Sequence, residues 1–218
     1  MINESIPVKV LAAKVIPNVS SDLAERLSLP AGYKSISMLT TDCDDVTYTA
    51  LDEATKAAQV EVVYAKSMYA GAANASTAYA GEVIGIMAGP NPDEVISGLR
   101  AAINFVEKGE KFKSANDDDS VAYFAHCISR TGSYMSKVAG IPEGEALAYL
   151  IAPPLESIYG LDAALKAADV TMTEFFGPPS ETNFGGGLLT GTQSACQAAC
   201  DAFTAAVVDV CQNPQRID

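Results

Sequence analysis

Tryptophan is absent from this 218-residue chain, and histidine occurs only once, at His126. A single histidine leaves few options for acid/base catalysis or for a histidine-ligated metal, so we expect neither a metal site nor a cofactor. Basic residues are also scarce, with 14 Lys and Arg against 27 Asp and Glu and a formal net charge of −13. Phosphate binding needs a basic face, which argues against a nucleic-acid partner. The acidic surface either attracts cations and basic partners or only keeps the chain soluble.

Long apolar runs are lacking as well. No segment approaches the roughly 20 apolar residues that a membrane span needs, so we expect no membrane partner. The first ten residues do not combine a basic segment with an apolar one, which predicts no secretory signal and a cytosolic protein. An odd number of cysteines without a signal predicts reduced thiols. The five cysteines are Cys43, Cys127, Cys196, Cys200 and Cys211.

The sequence repeats itself. Residues 51–60 (LDEATKAAQV) align with residues 161–170 (LDAALKAADV) at an offset of 110 (161 − 51). Residues 86–91 align with residues 188–193 at an offset of 102 (188 − 86). The smaller offset predicts a shorter loop in the second copy.

Each copy has one order of predicted elements: strand, short helix, strand, helix, two strands and a final helix. Such an order favours an α/β (α+β) fold in which each copy is a small, mostly antiparallel sheet with flanking helices. The predicted strands are 7–16, 35–40, 60–64, 83–88, 121–128, 146–152, 170–176 and 187–189. A polar stretch at 111–120 separates the copies, which predicts domains at 1–112 and 113–218.

Two helix starts have local signals. Asn91 can cap a helix whose first residue is Pro92. Asp22 and Glu25 resemble a capping pair for a short helix at 22–27.

Several motifs suggest chemistry and have simpler structural explanations. His126 and Cys127 are neighbours in a predicted strand, where adjacent side chains point to opposite faces and cannot form a catalytic dyad. Cys196 and Cys200 share a helix face, either as half of a zinc site or as buried structural thiols. The triplet 185–187 (GGG) precedes a predicted strand and lacks the lysine of a phosphate loop. It allows either a mobile loop or a close backbone approach.

An acidic cluster of Asp42, Asp44 and Asp45 lies between a predicted strand and a predicted helix. It is either a solvated turn that benefits from the helix dipole or a site whose carboxylates face one cavity. In a shared cavity the carboxylates would repel each other unless a cation compensated them.

The repeated helix motif resembles the bacterial microcompartment shell domain. Residues 159–170 (YGLDAALKAADV) match its Gly-Leu-x-Ala-Ala helix, and the first copy matches more weakly. A tandem pair resembles the trimeric class in which two domains replace two subunits of a hexagon. Further stretches resemble the shell proteins of the ethanolamine-utilisation microcompartment along essentially the whole chain; they are 44–48, 52–56, 60–73, 88–92, 129–134, 152–156 and 178–183.

This resemblance implies two tandem, circularly permuted shell domains, homotrimers that pack beside other shell proteins, and localisation in the shell of that organelle. It also implies a gated central pore and small acidic pores that hold ethanolamine. The implied ethanolamine contacts are Asp44, Asp45, Glu82, Phe112 and Thr182, with Tyr69 as a weaker candidate. Passage or binding of a cobalamin-type ligand is implied by the family's setting but by no particular residue.

No nucleophile or general base accompanies those contacts, so we expect a protein that binds ethanolamine and is not an enzyme. Two alternatives stay open at this point. One is an enzyme that uses Cys127 or paired carboxylates, and the other is a soluble amine-binding sensor that does not assemble.

Overall fold

Nine strands and six helices follow one another in residues 1–67, 83–178 and 183–215, which are the residues that this computed structural model describes. The strands are β1 (Val10–Ile16), β2 (Ser35–Thr41), β3 (Glu61–Ser67), β4 (Val83–Gly89), β5 (Lys113–Ser114), β6 (Ala122–Ile128), β7 (Ala146–Ala152), β8 (Val170–Phe176) and β9 (Gly185–Gly191). The helices are α1 (Ser21–Arg26), α2 (Asp44–Ala57), α3 (Pro92–Lys108), α4 (Ser133–Ala139), α5 (Pro154–Ala167) and α6 (Gln193–Gln212).

These elements divide into two units. The N-terminal unit comprises Val8–Glu110 together with Gly132–Met135. The C-terminal unit comprises Met1–Pro7, Lys111–Thr131 and the described residues from Ser136 onward. The predicted domain bounds of 1–112 and 113–218 stay a prediction.

The N-terminal unit is built on a four-stranded sheet in the order β1-β2-β4-β3, and every neighbouring pair is antiparallel. Helices α2 and α3 cover this sheet with apolar side chains. Leu39, Leu51, Met87 and Val95 are fully or almost fully buried in the resulting core.

The C-terminal unit has a five-stranded antiparallel sheet in the order β5-β6-β7-β9-β8. From β6 onward it repeats the strand and helix order of the N-terminal unit, with α5 and α6 covering the sheet. Its core contains Leu150, Leu189 and Phe203. The predicted α/β class, with a small antiparallel sheet and flanking helices in each copy, is confirmed.

The two copies also agree in fine detail. A register shift interrupts β3 between Val62 and Tyr64, and another interrupts β8 between Met172 and Glu174, at the same offset of 110 (172 − 62). Fifteen residues separate β3 from β4 (68–82), and eight separate β8 from β9 (177–184). The predicted shorter loop in the second copy is therefore confirmed.

Of the two helix starts predicted from local signals, one is confirmed and one is wrong in its capping residues. The Asn91 side chain accepts a hydrogen bond from the Glu94 N–H, and Pro92 opens α3, as predicted. The capping pair predicted at Asp22 and Glu25 is wrong. The residue before α1 is Ser20, and within the described chain its side chain makes no capping hydrogen bond.

The glycine triplet at 185–187 belongs to strand β9 and is not a loop before it. A Cβ atom at Gly186 would lie 1.9 Å from the Leu150 carbonyl oxygen on the neighbouring strand. The close backbone approach, one of the two predicted alternatives, therefore explains this glycine.

Helix α6 is long and apolar enough, by length and composition alone, to cross a membrane. In the C-terminal unit, however, one face of α6 packs into the core through Cys196, Cys200 and Phe203. Core helices of soluble proteins commonly have such a composition. The alternative of buried structural cysteines is confirmed for Cys196 and Cys200, which are 0% and 2% exposed.

Candidate functional site

Asp44 and Asp45 form the first turn of α2, and both are buried, with 7% and 6% of their surface exposed. The interpretation of this pair as a solvated turn is therefore wrong. The third member of the acidic cluster, Asp42, lies outside the helix, where its carboxylate accepts a hydrogen bond of 2.7 Å from the Lys9 N–H.

Two threonine hydroxyls fix the chain where α2 begins. The Thr41 and Thr47 hydroxyls are 2.7 Å apart, and each donates to the Cys43 carbonyl oxygen, at 2.9 and 2.8 Å. The Cys43 N–H donates in turn to the Thr41 hydroxyl. These bonds set the direction of the first turn, where the positive end of the helix dipole favours carboxylates.

A chain of hydrogen bonds holds the Asp44 carboxylate. The Ser67 hydroxyl at the end of β3 donates to Asp44 Oδ2 at 2.6 Å, and the Tyr48 hydroxyl lies 2.5 Å from Ser67 Oγ. The second carboxylate oxygen, Oδ1, accepts from the Asp45 N–H at 2.9 Å. Because Ser67 donates to the carboxylate, Tyr48 is the donor to Ser67.

Burial dominates the electrostatics of this network. Desolvation raises the pKa of Asp44 above its ordinary value, although the hydrogen bond from Ser67 works in the opposite direction. Desolvation, together with the negative charges of Asp44 and Asp45, raises the pKa of Tyr48 to about 12. The pair of carboxylates is therefore a site where added positive charge would be favoured.

The predicted contact Phe112 belongs to an aromatic cluster of the C-terminal unit. Its ring stacks on Phe124 with centroids 5.4 Å apart, and Phe184 meets it edge-on at 5.7 Å. Tyr149 meets Phe124 in another edge-on contact at 5.5 Å. One face of the Phe112 ring is therefore occupied by Phe124.

The other predicted contacts, Tyr69, Glu82 and Thr182, lie outside the described residues. Among the described ones, the structure brings Asp44 and Asp45 together. Sequence analysis missed Ser67 and Tyr48 as partners of Asp44. The spacing could have indicated Tyr48, because residues four apart on a helix, such as Asp44 and Tyr48, share one face.

The structure does not bring the Cys127 thiol and the His126 ring together for catalysis. Cys127 packs toward the helix-covered core, whereas His126 lies on the side of Phe124, with ring centroids 5.8 Å apart. Desolvation, with a smaller effect of Asp201, raises the pKa of the Cys127 thiol, which disfavours the reactive thiolate. In the described part of the chain, no group of three or more His, Cys, Asp or Glu residues is placed to hold a metal ion.

Comparison of the chain with known proteins shows the family to which it belongs. Residues 35–116 match the BMC domain. The chain is 66% identical over 214 residues to the bacterial microcompartment shell protein EutL of Clostridium perfringens, covering 98% of this chain and 99% of that protein. The chain belongs to the EutL family of bacterial microcompartment shell proteins. This is a family of structural shell proteins and not of enzymes.

Solved structures agree with this family. The crystal structure of the ethanolamine utilization protein EutL from Leptotrichia buccalis superposes with a TM-score of 0.97 at 67% identity and covers the whole of both chains. A trimeric microcompartment shell protein, PduB, superposes with a TM-score of 0.74 over 94% of this chain and 89% of its own. At 21% identity, PduB shows a shared fold alone. The predicted resemblance to tandem-domain shell proteins is thus confirmed.

Proposed function

We propose that the chain is a structural tile of the ethanolamine-utilisation microcompartment shell, and that three copies close into a pseudohexagonal plate beside other shell proteins. The observation that supports this most is the internal repeat within a EutL-family chain. Because both units have one strand and helix order, three chains supply six similar units. Six similar units can occupy the corners of a hexagon.

Solution mass and electron microscopy test the tile. We expect a particle of three chain masses that forms flat hexagonal sheets at high concentration. A strict monomer at high concentration would refute the proposal. The alternative, a soluble amine-binding sensor, predicts ethanolamine binding without any sheet.

The proposal includes a small acidic pore that binds ethanolamine through Asp44 and Asp45. Protonated ethanolamine is a small cation with a hydroxyl group, and buried carboxylates form strong charge-assisted hydrogen bonds with ammonium groups. The raised pKa of Asp44 supports such a role, because a cation would relieve the desolvated charge. Glu82, Phe112 and Thr182 complete the proposed contacts, with Tyr69 as a weaker candidate.

Isothermal titration tests the pore site. We expect ethanolamine to bind wild type weakly, to bind Asp45→Asn more weakly still, and to lose affinity as salt is added. Asp93→Asn is the matched control, since Asp93 also lies in the first turn of a helix but is exposed. Equal affinities for wild type and Asp45→Asn would remove Asp45 from the site.

Gating of the central pore is the remaining part of the proposal. Ethanolamine can shift the balance between open and closed pores only if it binds one form better than the other. Phe112 lies in the polar stretch at 111–120, so binding there would restrain that stretch further. Amide hydrogen exchange of residues 111–120, with and without ethanolamine, should show slower exchange in the ligand's presence. An unchanged exchange rate would argue against gating by ethanolamine.

A further inference from the structure

A chain of two hydroxyl groups, outside the proposed ethanolamine contacts, leads to Asp44. Tyr48 Oη lies 2.5 Å from Ser67 Oγ, and Ser67 Oγ lies 2.6 Å from Asp44 Oδ2. Tyr48 is about one turn along α2 from Asp44, and Ser67 is the last residue of β3. Two different elements therefore direct hydrogen-bond donors toward one buried carboxylate.

The second copy of the repeat shows that the fold does not need this chain of hydroxyls. At the offset of 110, the counterparts of Asp44, Tyr48 and Ser67 are Pro154, Ile158 and Gly177. None of these counterparts has a polar side chain that could form the same hydrogen bonds. The C-terminal unit nevertheless forms α5 and β8 where the N-terminal unit forms α2 and β3.

The two copies differ at the acidic pair as well, although they agree in the core. Leu51 and its counterpart Leu161 both lie in the core of their own unit. Asp45, in contrast, has the counterpart Leu155. Both carboxylates and both hydroxyls therefore belong to one copy as a group, as the parts of a ligand site would.

The hydroxyl chain fixes the orientation of the Asp44 carboxylate. Ser67 donates to Oδ2, and the Asp45 N–H donates to Oδ1 at 2.9 Å. An ionised carboxylate can accept about four hydrogen bonds, so these two donors do not exhaust it. Hydrogen bonds to the ionised form also favour that form, and it is the form that an ammonium group binds best.

Tyr48 gives the hydroxyl chain its direction. A serine hydroxyl rotates and can donate to any acceptor within reach. Because the Tyr48 hydroxyl donates to Ser67 Oγ, the Ser67 proton is directed to Asp44. Burial, with the negative charges of Asp44 and Asp45, raises the pKa of Tyr48 to about 12. Tyr48 therefore keeps its proton at any pH at which a carboxyl group titrates.

We propose that Tyr48 and Ser67 are positioning residues of the ethanolamine site and act on the ligand through Asp44. This inference rests on the proposed small acidic pore and adds to it the groups that orient one of its carboxylates. The hydroxyl chain then sets how tightly ethanolamine binds and at which pH the binding is lost.

Isothermal titration with ethanolamine tests the two hydroxyls. At pH 7 we expect about tenfold weaker binding by Ser67→Ala, because a hydrogen bond to a charged group is lost. Tyr48→Phe leaves Ser67 in place without its donor and should weaken binding by about threefold, as the loss of a neutral hydrogen bond would. The control is Tyr64→Phe, which removes a hydroxyl from a tyrosine of β3 that is 40% exposed and should bind as wild type does.

The pH profile of binding separates positioning from a general loss of structure. Within the described residues, the groups that act on Asp44 are Asp45 and Tyr48 on α2 and Ser67 on β3. Asp45 is present in every variant, and Tyr48 stays uncharged. The hydrogen bond from Ser67 lowers the pKa of Asp44, so its removal in Ser67→Ala should raise the pH at which affinity falls by half. A structural defect would weaken binding at every pH and leave that midpoint where it is.

A conservative variant supplies the rescue. Ser67→Thr keeps the hydroxyl and should retain both the wild-type affinity and the wild-type midpoint. If Ser67→Thr binds as weakly as Ser67→Ala does, the hydroxyl is not what matters and the inference is overturned.

Failure of this inference differs from failure of the proposed pore. Wild-type affinity with an unmoved midpoint in both Ser67→Ala and Tyr48→Phe would overturn the positioning role alone, since ethanolamine would still bind. A wild-type chain that does not bind ethanolamine would refute the small acidic pore and the positioning role together.

Discussion

Replacing Asp52 with alanine should destabilise the N-terminal unit substantially. The carboxylate is fully buried and accepts two backbone hydrogen bonds of 2.7 and 2.8 Å, from Gly132 and Met135. A hydrogen bond to a charged group contributes about 1.5–3 kcal/mol, and a buried donor left without an acceptor is costly. Asp52→Ala removes both acceptors at once.

The desolvation of Asp52 works against this loss. Burial raises the pKa of Asp52 despite the two N–H donors and nearby Lys56, so the ionised carboxylate itself is unfavourable there. Removing it relieves part of that penalty. Weighing both effects, we expect Asp52→Ala to lower the free energy of unfolding by about 3 kcal/mol, the lower end of the range for breaking a buried charge pair.

Urea denaturation followed by circular dichroism measures this loss. The control is Glu53→Ala, because Glu53 is the next residue on α2 and pairs with the same Lys56 but is partly exposed. Such an ion pair contributes at most about 1 kcal/mol. Amide exchange at Gly132 and Met135 should accelerate in Asp52→Ala and stay unchanged in Glu53→Ala. Equal losses in the two variants, or unaltered exchange at both amides, would refute the reasoning.

Three further predictions concern other parts of the chain. Gly186→Ala should destabilise the C-terminal unit by at least about 2 kcal/mol in urea denaturation, because the new Cβ meets the Leu150 carbonyl oxygen at 1.9 Å. The control is Gly177→Ala, whose new Cβ meets only the Phe175 ring edge at 3.3 Å. Equal losses of stability in the two variants would contradict the prediction. The raised pKa of Asp44 predicts a stability contribution that is fully present below the unfolded value of 3.8 and is lost as pH rises through the folded pKa. In denaturation curves taken at several pH values, Asp44→Asn should not show this loss of stability with rising pH. The same dependence of stability on pH in wild type and Asp44→Asn would count against the prediction. Cys127 should react with a maleimide at neutral pH more slowly than a free thiol does, because burial raises its pKa; fast alkylation would reopen the thiol-enzyme alternative.

Local patterns predicted most of the fold. The bounds of β7 and β8 match the predicted strands 146–152 and 170–176, since apolar runs between turn residues are reliable strand signals. The Asn91 cap also followed from residue types alone, because an Asn-Pro pair before acidic residues satisfies helix N-terminal chemistry within one turn.

The errors occurred where long-range contacts decide the outcome. Three successive glycines have no side chains that distinguish a loop from a strand, so only the approach of Leu150 reveals that they belong to β9. Strand β5 has two residues, and its pairing with β6 has no periodic pattern to predict it.

The candidate site shows the same division between local and long-range information. The sequence identified Asp44 and Asp45 as a pair, but it did not predict their burial, which depends on elements distant in the chain. Ser67 follows Asp44 by 23 residues, and no spacing rule connects a strand end with a helix start at that distance. The burial of Asp52 likewise has no local signal in the sequence, because its donors lie 80 and 83 residues further along the chain.

The burial of Asp44 and Asp45 favours a role in binding over a role in folding. Two desolvated carboxylates in succession repel each other, and the raised pKa of Asp44 means that its ionised form opposes folding at neutral pH. The Ser67 hydroxyl and the start of α2 compensate only in part, whereas a bound cation would neutralise both effects. Ethanolamine should therefore raise the melting temperature more at pH 7 than at pH 4, where protonation of Asp44 removes a charge that the cation needs. 1-Propanol, a similarly sized alcohol without the charge, should leave the melting temperature unchanged at both pH values. An equal effect of the two compounds would show that charge at this pair does not select the ligand.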